Sequence, residues 1–208
     1  NIVGCSEDFN YNGDLVVGLG ENYQMGRWRG RIDISAIGSV IGISTIDTDG
    51  LMFLLRNTNY KDGKSMSFYD ESWTQWNESL GGIDKGANTL VKKGYRFYTV
   101  NLGDGVKIDV YVLHMNTAEN ADQIAVQDEQ LTQLAEAVKA NTNGRPKLII
   151  GDTNCRYTRN KVTDNLITPL SELYTIKDVW VEKFQGGTAP GYTSDVDDDI
   201  LVTDKNSS

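Results

Sequence analysis

The chain is poor in cysteine, histidine and basic residues, and each shortage limits what the protein can be. Its 208 residues include two cysteines, which do not make a disulfide framework, and we expect Cys5 and Cys155 to pack as small apolar side chains. No run is long and apolar enough to span a membrane as a helix. The formal net charge of -9 argues against a chain that binds nucleic acid by positive charge alone.

Length and composition predict one globular domain with a sizeable core. Hydrophobic residues make up 39% of the chain and charged residues 24%, which are ordinary values. No internal repeat or linker divides the sequence, and no signal peptide is visible. The acidic balance does not exclude a metal-dependent nuclease, because a bound cation reverses the local sign of the charge.

Residues 147–154 hold the most informative pattern, an apolar run that ends in Gly-Asp-x-Asn. The run predicts a buried strand followed by a turn. Asp152 and Asn154 lie two residues apart, so on a strand end both side chains leave on the same side. The acid can then align and deprotonate a water while the amide donates to an oxyanion. The alternative is a strand that ends in an Asx turn, because both residue types cap turns.

A second predicted strand, residues 106–113, delivers the only histidine of the chain, His114, at its end. Residues 118–140 follow with apolar side chains at helical spacing. Strand, helix and strand form one crossover unit, so His114 and Asp152 should meet at one carboxyl-terminal sheet edge. A lone histidine is more often a packed or surface residue, but this position favours the functional interpretation.

These segments, together with four others, resemble the endonuclease/exonuclease/phosphatase superfamily. That group includes pancreatic deoxyribonuclease, abasic-site nucleases, neutral sphingomyelinases and inositol-polyphosphate 5-phosphatases. Residues 2–9 resemble the family strand that ends in a metal-binding Glu, although Ser6 stands where the family usually has Gln. Residues 49–54, 92–95 and 198–202 resemble later family segments in the family's order, so the resemblance covers nearly the whole chain.

The alternation of strands with few helices predicts an α/β protein by itself. The resemblance implies more: a four-layer α/β sandwich of two mixed β-sheets, packed face to face and flanked by helices, in a single domain of residues 1–208. The family's opening strand with its Asn and its closing Ser-Asp-His strand have no counterparts. We therefore expect a fragment of a longer domain, with a catalytically degenerate member as the alternative.

The resemblance also implies a Mg²⁺- or Mn²⁺-dependent hydrolase of phosphate esters. Glu7 would bind the metal, and with no cysteine or histidine cluster around it the ion should be oxygen-liganded. Asp152 would activate a water, and Asn154 would hold the phosphate or the water. His114 would donate a hydrogen bond to the phosphate. Asp198 matches the carboxylate that orients the closing histidine in the family, whereas no residue matches the Glu that orients the residue at His114.

Arg156, Tyr157 and Arg159 directly follow the Gly-Asp-x-Asn turn and are the best-placed residues for a substrate phosphate. The substrate class stays open among nucleic acids, phospholipid head groups and sugar phosphates. Residues 156–159 and 178–182 look closer to extracytoplasmic microbial and fungal members, so a secreted or periplasmic monomer is favoured. The alternative function is a non-catalytic binding or interaction module with the same fold.

Three further clusters have a structural and a functional interpretation. The arginines and Trp28 in residues 27–31 suit a phosphate pocket, but packing on the domain is favoured. The acidic residues in 195–199 suit a second cation site, but a solvated loop is favoured. Trp73 and Trp76 would share one face if they lay on a helical turn, and we expect them in the core or at its rim.

Overall fold

The computed structural model describes residues 1–7, 12–27, 32–33, 45–46, 49–77, 93–155, 159–179 and 182. The predictions for residues 28–31 and 195–199, and for Arg156, Tyr157 and Asp198, lie outside these residues. The chain divides into two compact units. The sheet unit comprises Asn1–Asn116 and Asn143–Thr153, and the helical unit comprises Thr117–Thr142 and Asn154–Ser208.

The sheet unit carries all the strands among the described residues, together with one helix. In chain order these are β1 (Ile2–Cys5), α1 (Asn12–Leu19), β2 (Tyr23–Met25), β3 (Ile32–Asp33), β4 (Thr45–Ile46), β5 (Met52–Arg56), β6 (Ser67–Gln75), β7 (Gly94–Asn101), β8 (Lys107–His114) and β9 (Lys147–Asp152). In the described part of the chain, the two-residue strands β3 and β4 pair only with each other.

The first sheet has the order β1-β5-β2 and is antiparallel throughout. Its central strand β5 is apolar at four consecutive positions, Met52 to Leu55, all of them buried. A strand with both faces covered carries such a continuous apolar run instead of an alternating one. Residues 49–54, which resemble a family strand, therefore include the centre of this sheet.

The second sheet has the order β6-β7-β8-β9 and is mixed, because β8 and β9 run parallel and the other pairs run antiparallel. Trp73 lies within β6, and Trp76 follows its end. The helical turn considered for these two tryptophans was therefore wrong. The segment is rich in aromatic side chains and Thr, which fit a pleated, half-buried surface better than a helix.

The two sheets pack face to face around aromatic and branched side chains that alternate along the strands. Phe53 from β5 stacks on Tyr98 from β7 with ring centroids 4.1 Å apart, and Phe68 meets both rings edge-on. The buried members of this core are Leu51, Phe53, Leu55, Met66, Tyr98, Val100, Val110 and Val112. The predicted α/β sandwich is confirmed, with the difference that only one of its two large sheets is mixed.

Strand β9 is half-buried along Lys147 to Ile150, whereas its apolar sequence predicted a buried strand. Within the described residues it pairs only with β8 and lies at the end of the second sheet. A strand in that position is covered less completely than a central one. The apolar run was therefore read correctly as a strand but not as a central one.

The helical unit is built on α2 (Ala121–Ala140), close to the helix predicted for residues 118–140. Asn120 begins it with a capping box, in which its side chain accepts from the backbone of Gln123 while the Gln123 side chain accepts from the backbone of Asn120. Leu131, Leu134 and Val138 form its buried stripe, as their spacing predicted.

The second helical segment of this unit contains a π-helical stretch, Thr163–Ile167, that continues into α3 (Thr168–Ser171). Asp128 on α2 fastens it, because its carboxylate accepts from Lys161 at 2.7 Å and from Asn165 at 3.0 Å. Across the residues that the structure describes, none of the helices combines the length and the apolar character needed to cross a membrane.

A buried carboxylate, Asp109, closes the amino-terminal ends of β8 and β9. Its Oδ1 accepts from Arg145 Nη1 at 2.9 Å, and its Oδ2 accepts from Lys147 Nζ at 2.6 Å and Asn143 Nδ2 at 2.7 Å. Its backbone amide donates to Pro146 O at 2.9 Å. Burial raises the pKa of Asp109, but the hydrogen bonds from Lys147 and Asn143 and the nearby positive charges outweigh it, so the pKa lies below its ordinary 3.8.

We expect Asp109→Asn to lower the free energy of unfolding by about 3 kcal/mol at pH 7, because Lys147 and Arg145 lose their buried counter-charge. Wild-type stability should fall as the pH drops below about 5, since the unfolded carboxyl binds a proton before the folded one. Urea unfolding between pH 3.5 and 7 measures both effects, and the variant should show the weaker pH dependence.

Asp104→Asn is the matched control for Asp109→Asn. The Asp104 side chain is 65% exposed and pairs with Lys64 at the surface, so its loss should cost no more than about 1 kcal/mol. Equal destabilisation by the two substitutions would contradict the role given to the buried Asp109 network.

Candidate active site

Parallel pairing of β8 with β9 brings two of the candidate catalytic residues together. His114 ends β8, Asp152 ends β9, and the two residues lie opposite each other in the register. The backbone amide of Met115 donates to Asp152 O at 3.0 Å, so the pairing extends one residue further. The meeting of His114 and Asp152 at one carboxyl-terminal sheet edge, which the crossover pattern predicted, is observed.

Gly151 allows β9 to approach β8 directly before this edge. Its φ of +134° is a backbone conformation that residues with a side chain rarely adopt. A Cβ at this position would also overlap the backbone of Leu113 on the neighbouring strand. The glycine of Gly-Asp-x-Asn is therefore required by the strand pairing that positions Asp152.

Strand β1 of the first sheet joins this edge through the two residues around its end. At Gly4 a Cβ would lie only 2.6 Å from Ile150 Cδ1, so the missing side chain permits close approach of the two sheets. Ser6 then bridges both strands of the pair. Its hydroxyl donates to Leu113 O at 3.1 Å and accepts from the backbone amide of Asp152 at 3.3 Å.

Glu7 follows Ser6 in a left-handed turn with φ +60°. Its side chain is 65% exposed, and Oε1 lies 3.5 Å from Nε2 of His114, which is 0% exposed. The predicted metal residue and the predicted phosphate donor are therefore neighbours. Only the carboxylate faces solvent, whereas the imidazole is enclosed.

Among the described residues, Lys93 brings a positive charge to this site. It is 8% exposed, and its Nζ lies 3.0 Å from His114 Nε2 and donates to Met115 O at 2.9 Å. Trp76 supports both neighbours, because its indole Nε1 donates to His114 O at 2.9 Å and its backbone amide donates to Lys93 O at 3.2 Å. The ends of β6, β7 and β8 are thereby tied together behind the imidazole.

Burial sets the protonation states of this pair. Desolvation, followed by the nearby charge of Lys93, lowers the pKa of His114 to about 3, so the imidazole is neutral near pH 7. Desolvation also lowers the pKa of Lys93 to about 8, although the charges of Glu7 and Asp152 act in the opposite direction. The site therefore offers two exposed carboxylates at its surface and a positive charge at its base.

This arrangement contains groups that could take part in the hydrolysis of an anionic ester. An exposed carboxylate with a fixed backbone, Asp152, can accept a proton from water. The buried ammonium of Lys93 can stabilise negative charge, and it does so more strongly away from bulk water. Among the described residues, no three His, Cys, Asp or Glu side chains converge as a metal cluster. The exposed carboxylate of Glu7 supplies an oxygen ligand, which suits an ion such as Mg²⁺ that keeps several waters better than it suits Zn²⁺.

Two predicted residues belong to the helical unit. Asn154 has φ +51°, and β9 ends at Asp152, so strand alternation does not set the direction of the Asn154 side chain as the sequence had suggested. The buried Gln127 of α2 donates from Nε2 to Asn154 O at 2.7 Å and holds this turn. Arg159 uses one guanidinium nitrogen, Nη1, to donate to Ala118 O at 2.9 Å.

Lys93 and Trp76 are the site residues that sequence reasoning missed. Residues 92–95 were identified only as the lead into a strand, and Trp76 only as core or rim. A signal for Lys93 existed, because antiparallel pairing of β7 and β8 sets Gly94 opposite His114 and so brings the preceding lysine beside the histidine. Trp76 required knowledge that β6 pairs with β7 as well.

No protein-family model matches the chain. Sphingomyelinases of Mycobacterium tuberculosis and Mycobacterium bovis are 30% identical to it over 105 residues. The match spans 50% of this chain and 20% of each relative, so the chain corresponds to a small part of those proteins.

Solved structures extend the likeness over most of the chain. The catalytic domain of human Nocturnin with bound sulfate has a TM-score of 0.61 at 14% identity, over 92% of this chain and 64% of that one. Beta toxin of Staphylococcus aureus (F277A, P278A) with bound magnesium ions has a TM-score of 0.60 at 16% identity, over 86% and 59%. Sphingomyelinase C from Streptomyces griseocarneus has a TM-score of 0.58 at 16% identity, over 83% and 56%.

We expect Gly151→Ala to lower the free energy of unfolding by about 3 kcal/mol, because a strained φ and an overlap with Leu113 add together. Gly105→Ala is the matched control. Gly105 also has a positive φ, +77°, but no atom lies within 4 Å of the added Cβ, so it should cost only about 1 kcal/mol. Urea unfolding at pH 7 measures both, and equal losses would contradict the close approach of β9 to β8.

Proposed function

We propose that this chain, which has the fold of the endonuclease/exonuclease/phosphatase superfamily, is a metal-dependent hydrolase of phosphate diesters. The similar proteins, which include sphingomyelinases and Nocturnin, support phosphodiesterase-type hydrolysis as the general class of reaction. For this chain the proposal rests on one observation above all. The exposed Asp152 is fixed opposite the buried His114, and both the exposed Glu7 and the buried Lys93 lie near Nε2 of the imidazole.

Asp152 would act as the general base. It would accept a proton from a water whose oxygen forms a bond to phosphorus while the ester P–O bond breaks, and the leaving oxygen would take a proton from solvent. The backbone of Asp152 is held by Ser6 and by the pairing to Met115. This fixes where the carboxylate starts, which matters because misplacing a catalytic group by about 1 Å can cost about 10²-fold in rate.

Glu7 would hold Mg²⁺, or Mn²⁺, through its exposed carboxylate. When bound, the ion would neutralise charge on a phosphate oxygen and stabilise the leaving oxygen. Lys93 would place its positive charge near the same phosphate, and the neutral His114 would take part in one hydrogen bond through Nε2, which lies near both Lys93 and Glu7. Asn154 remains proposed, on the superfamily resemblance alone, as the residue that holds the phosphate or the water.

Arg156, Tyr157 and Arg159 remain proposed substrate contacts, and Asp198 remains a proposed partner for a closing histidine. Among phosphate diesters we favour a phospholipid head group over a long nucleic acid. The net charge of -9 opposes binding of a polyanion, and the curated relatives that match half of this chain are named as sphingomyelinases.

The test is hydrolysis of bis-p-nitrophenyl phosphate by the 208-residue chain with Mg²⁺ and with EDTA. We expect activity that EDTA removes, a loss of about 10²- to 10⁴-fold in kcat for Asp152→Asn, and a higher Mg²⁺ requirement for Glu7→Gln. Asp104→Asn should leave the rate unaltered, because Asp104 is exposed and lies in the connection between β7 and β8, at the end of β8 opposite to His114. Activity that survives EDTA or Asp152→Asn would refute the proposed roles.

A substrate panel of sphingomyelin, duplex DNA and inositol phosphates separates the substrate classes under the same conditions. Faster hydrolysis of DNA than of sphingomyelin would overturn the preference for a lipid head group. A chain that binds one of these ligands without turnover, with Mg²⁺ present, would instead favour the binding-module alternative.

A further inference from the structure

The environment of His114 is unusual because its two ring nitrogens are treated so differently. The imidazole is fully buried. Its Nε2 lies 3.0 Å from Lys93 Nζ and 3.5 Å from Glu7 Oε1. In the described part of the chain its Nδ1 has no hydrogen-bond partner. A neutral imidazole has one donor and one acceptor nitrogen, so this asymmetry raises the question of which nitrogen carries the proton.

The two neighbours of Nε2 would require opposite hydrogen-bond roles of this nitrogen. Glu7 is a carboxylate and could only accept a proton from Nε2, whereas the ammonium of Lys93 has three donors and no acceptor and could only donate to it. The contact with Lys93 is the shorter, at 3.0 Å against 3.5 Å, and the longer one is at the limit of a hydrogen bond. The hydrogen bond of Nε2 is therefore formed with Lys93 and not with Glu7.

We infer that Lys93 holds His114 as the neutral tautomer protonated on Nδ1, with Nε2 as an acceptor. Lys93 is itself held at the required position, because a second of its protons goes to Met115 O at 2.9 Å and its backbone carbonyl accepts from Trp76. This leaves one N–H of the ammonium for a further acceptor. This tautomer places a proton on the buried Nδ1, which has no hydrogen-bond partner among the described residues.

The consequence deepens the proposed function, on which this step depends. With Nε2 occupied as an acceptor, the imidazole cannot donate from that nitrogen to a phosphate. The group at the base of the site that can do so is the ammonium of Lys93. His114 then serves to orient Lys93, and the donor role expected for the histidine passes to the lysine.

The tautomer can be measured directly because the chain contains a single histidine. Long-range ¹H–¹⁵N spectra of the untagged, ¹⁵N-histidine-labelled chain at pH 7 should show one imidazole, with Nδ1 of the protonated type and Nε2 of the unprotonated type. Lys93→Met should reverse this pattern or mix the two tautomers, because Glu7 is then the remaining neighbour of Nε2. Lys93→Arg should restore the wild-type pattern, because a guanidinium also donates only.

Lys107→Met is the matched control. Lys107 lies at the opposite end of β8, is exposed, and packs over the ring of Tyr69 at 5.2 Å, so its loss should leave the imidazole spectrum unchanged. A wild-type spectrum with the proton on Nε2 would overturn the inference even if Lys93→Met failed to fold. An unchanged spectrum in a folded Lys93→Met chain would overturn it as well.

Kinetics separate this inference from the proposed function. If both hold, Lys93→Met should lower kcat for bis-p-nitrophenyl phosphate by about 10²-fold with little change in KM, as expected for loss of a donor that acts on developing charge. A chain without phosphodiesterase activity that still shows the predicted tautomer would refute the proposed function. The effect of Lys93 on the tautomer of His114 would then still hold. An active chain with the proton on Nε2 would refute the predicted tautomer and leave the proposed function intact.

Discussion

The parallel pairing of β8 with β9 is the constraint on which the rest of the site depends. In a strand pair the side chains alternate between faces, so a shift of one residue would turn either His114 or Asp152 to the opposite face of the sheet. The register is fixed at both ends: at one end by the hydrogen bonds of Asp109, and at the other by Gly151 and the amide of Met115. The geometry of the candidate site at this edge is thus fixed by groups that have no role in the proposed chemistry.

The second requirement is an enclosed position at which a positive charge has hydrogen-bond partners. Lys93 is enclosed, yet its ammonium is hydrogen-bonded to a carbonyl and an imidazole and faces carboxylates that lie toward water. A buried charge without such partners would be strongly destabilising. The neutral state of His114 follows mainly from the same burial. The positive charge of Lys93 adds to this effect, because it would repel a second positive charge on the imidazole.

The sequence sufficed for those parts of the structure that depend on local periodicity. The strand ends at His114 and Asp152 could be predicted because two strands joined by a helix run parallel and finish at one edge. Lys93 and Trp76 could not be predicted in this way, because they reach the site through antiparallel pairings between segments far apart in the chain. The predicted direction of the Asn154 side chain rested on strand alternation, which does not extend to this residue because the strand ends at Asp152 and the backbone of Asn154 is left-handed.

The hydroxyl of Ser6 links residues 146 positions apart when it accepts from the amide of Asp152. Contacts of such long range close large loops, and the entropy lost in closing them must be offset before they contribute stability. The β5–β6 and β7–β8 connections are short and can form early, whereas the bridge by Ser6 needs the first strand and the last strand of the sheet unit in place. We therefore expect the scaffold of the sheet unit to form before the candidate site, which is complete only when β1 and β9 have met.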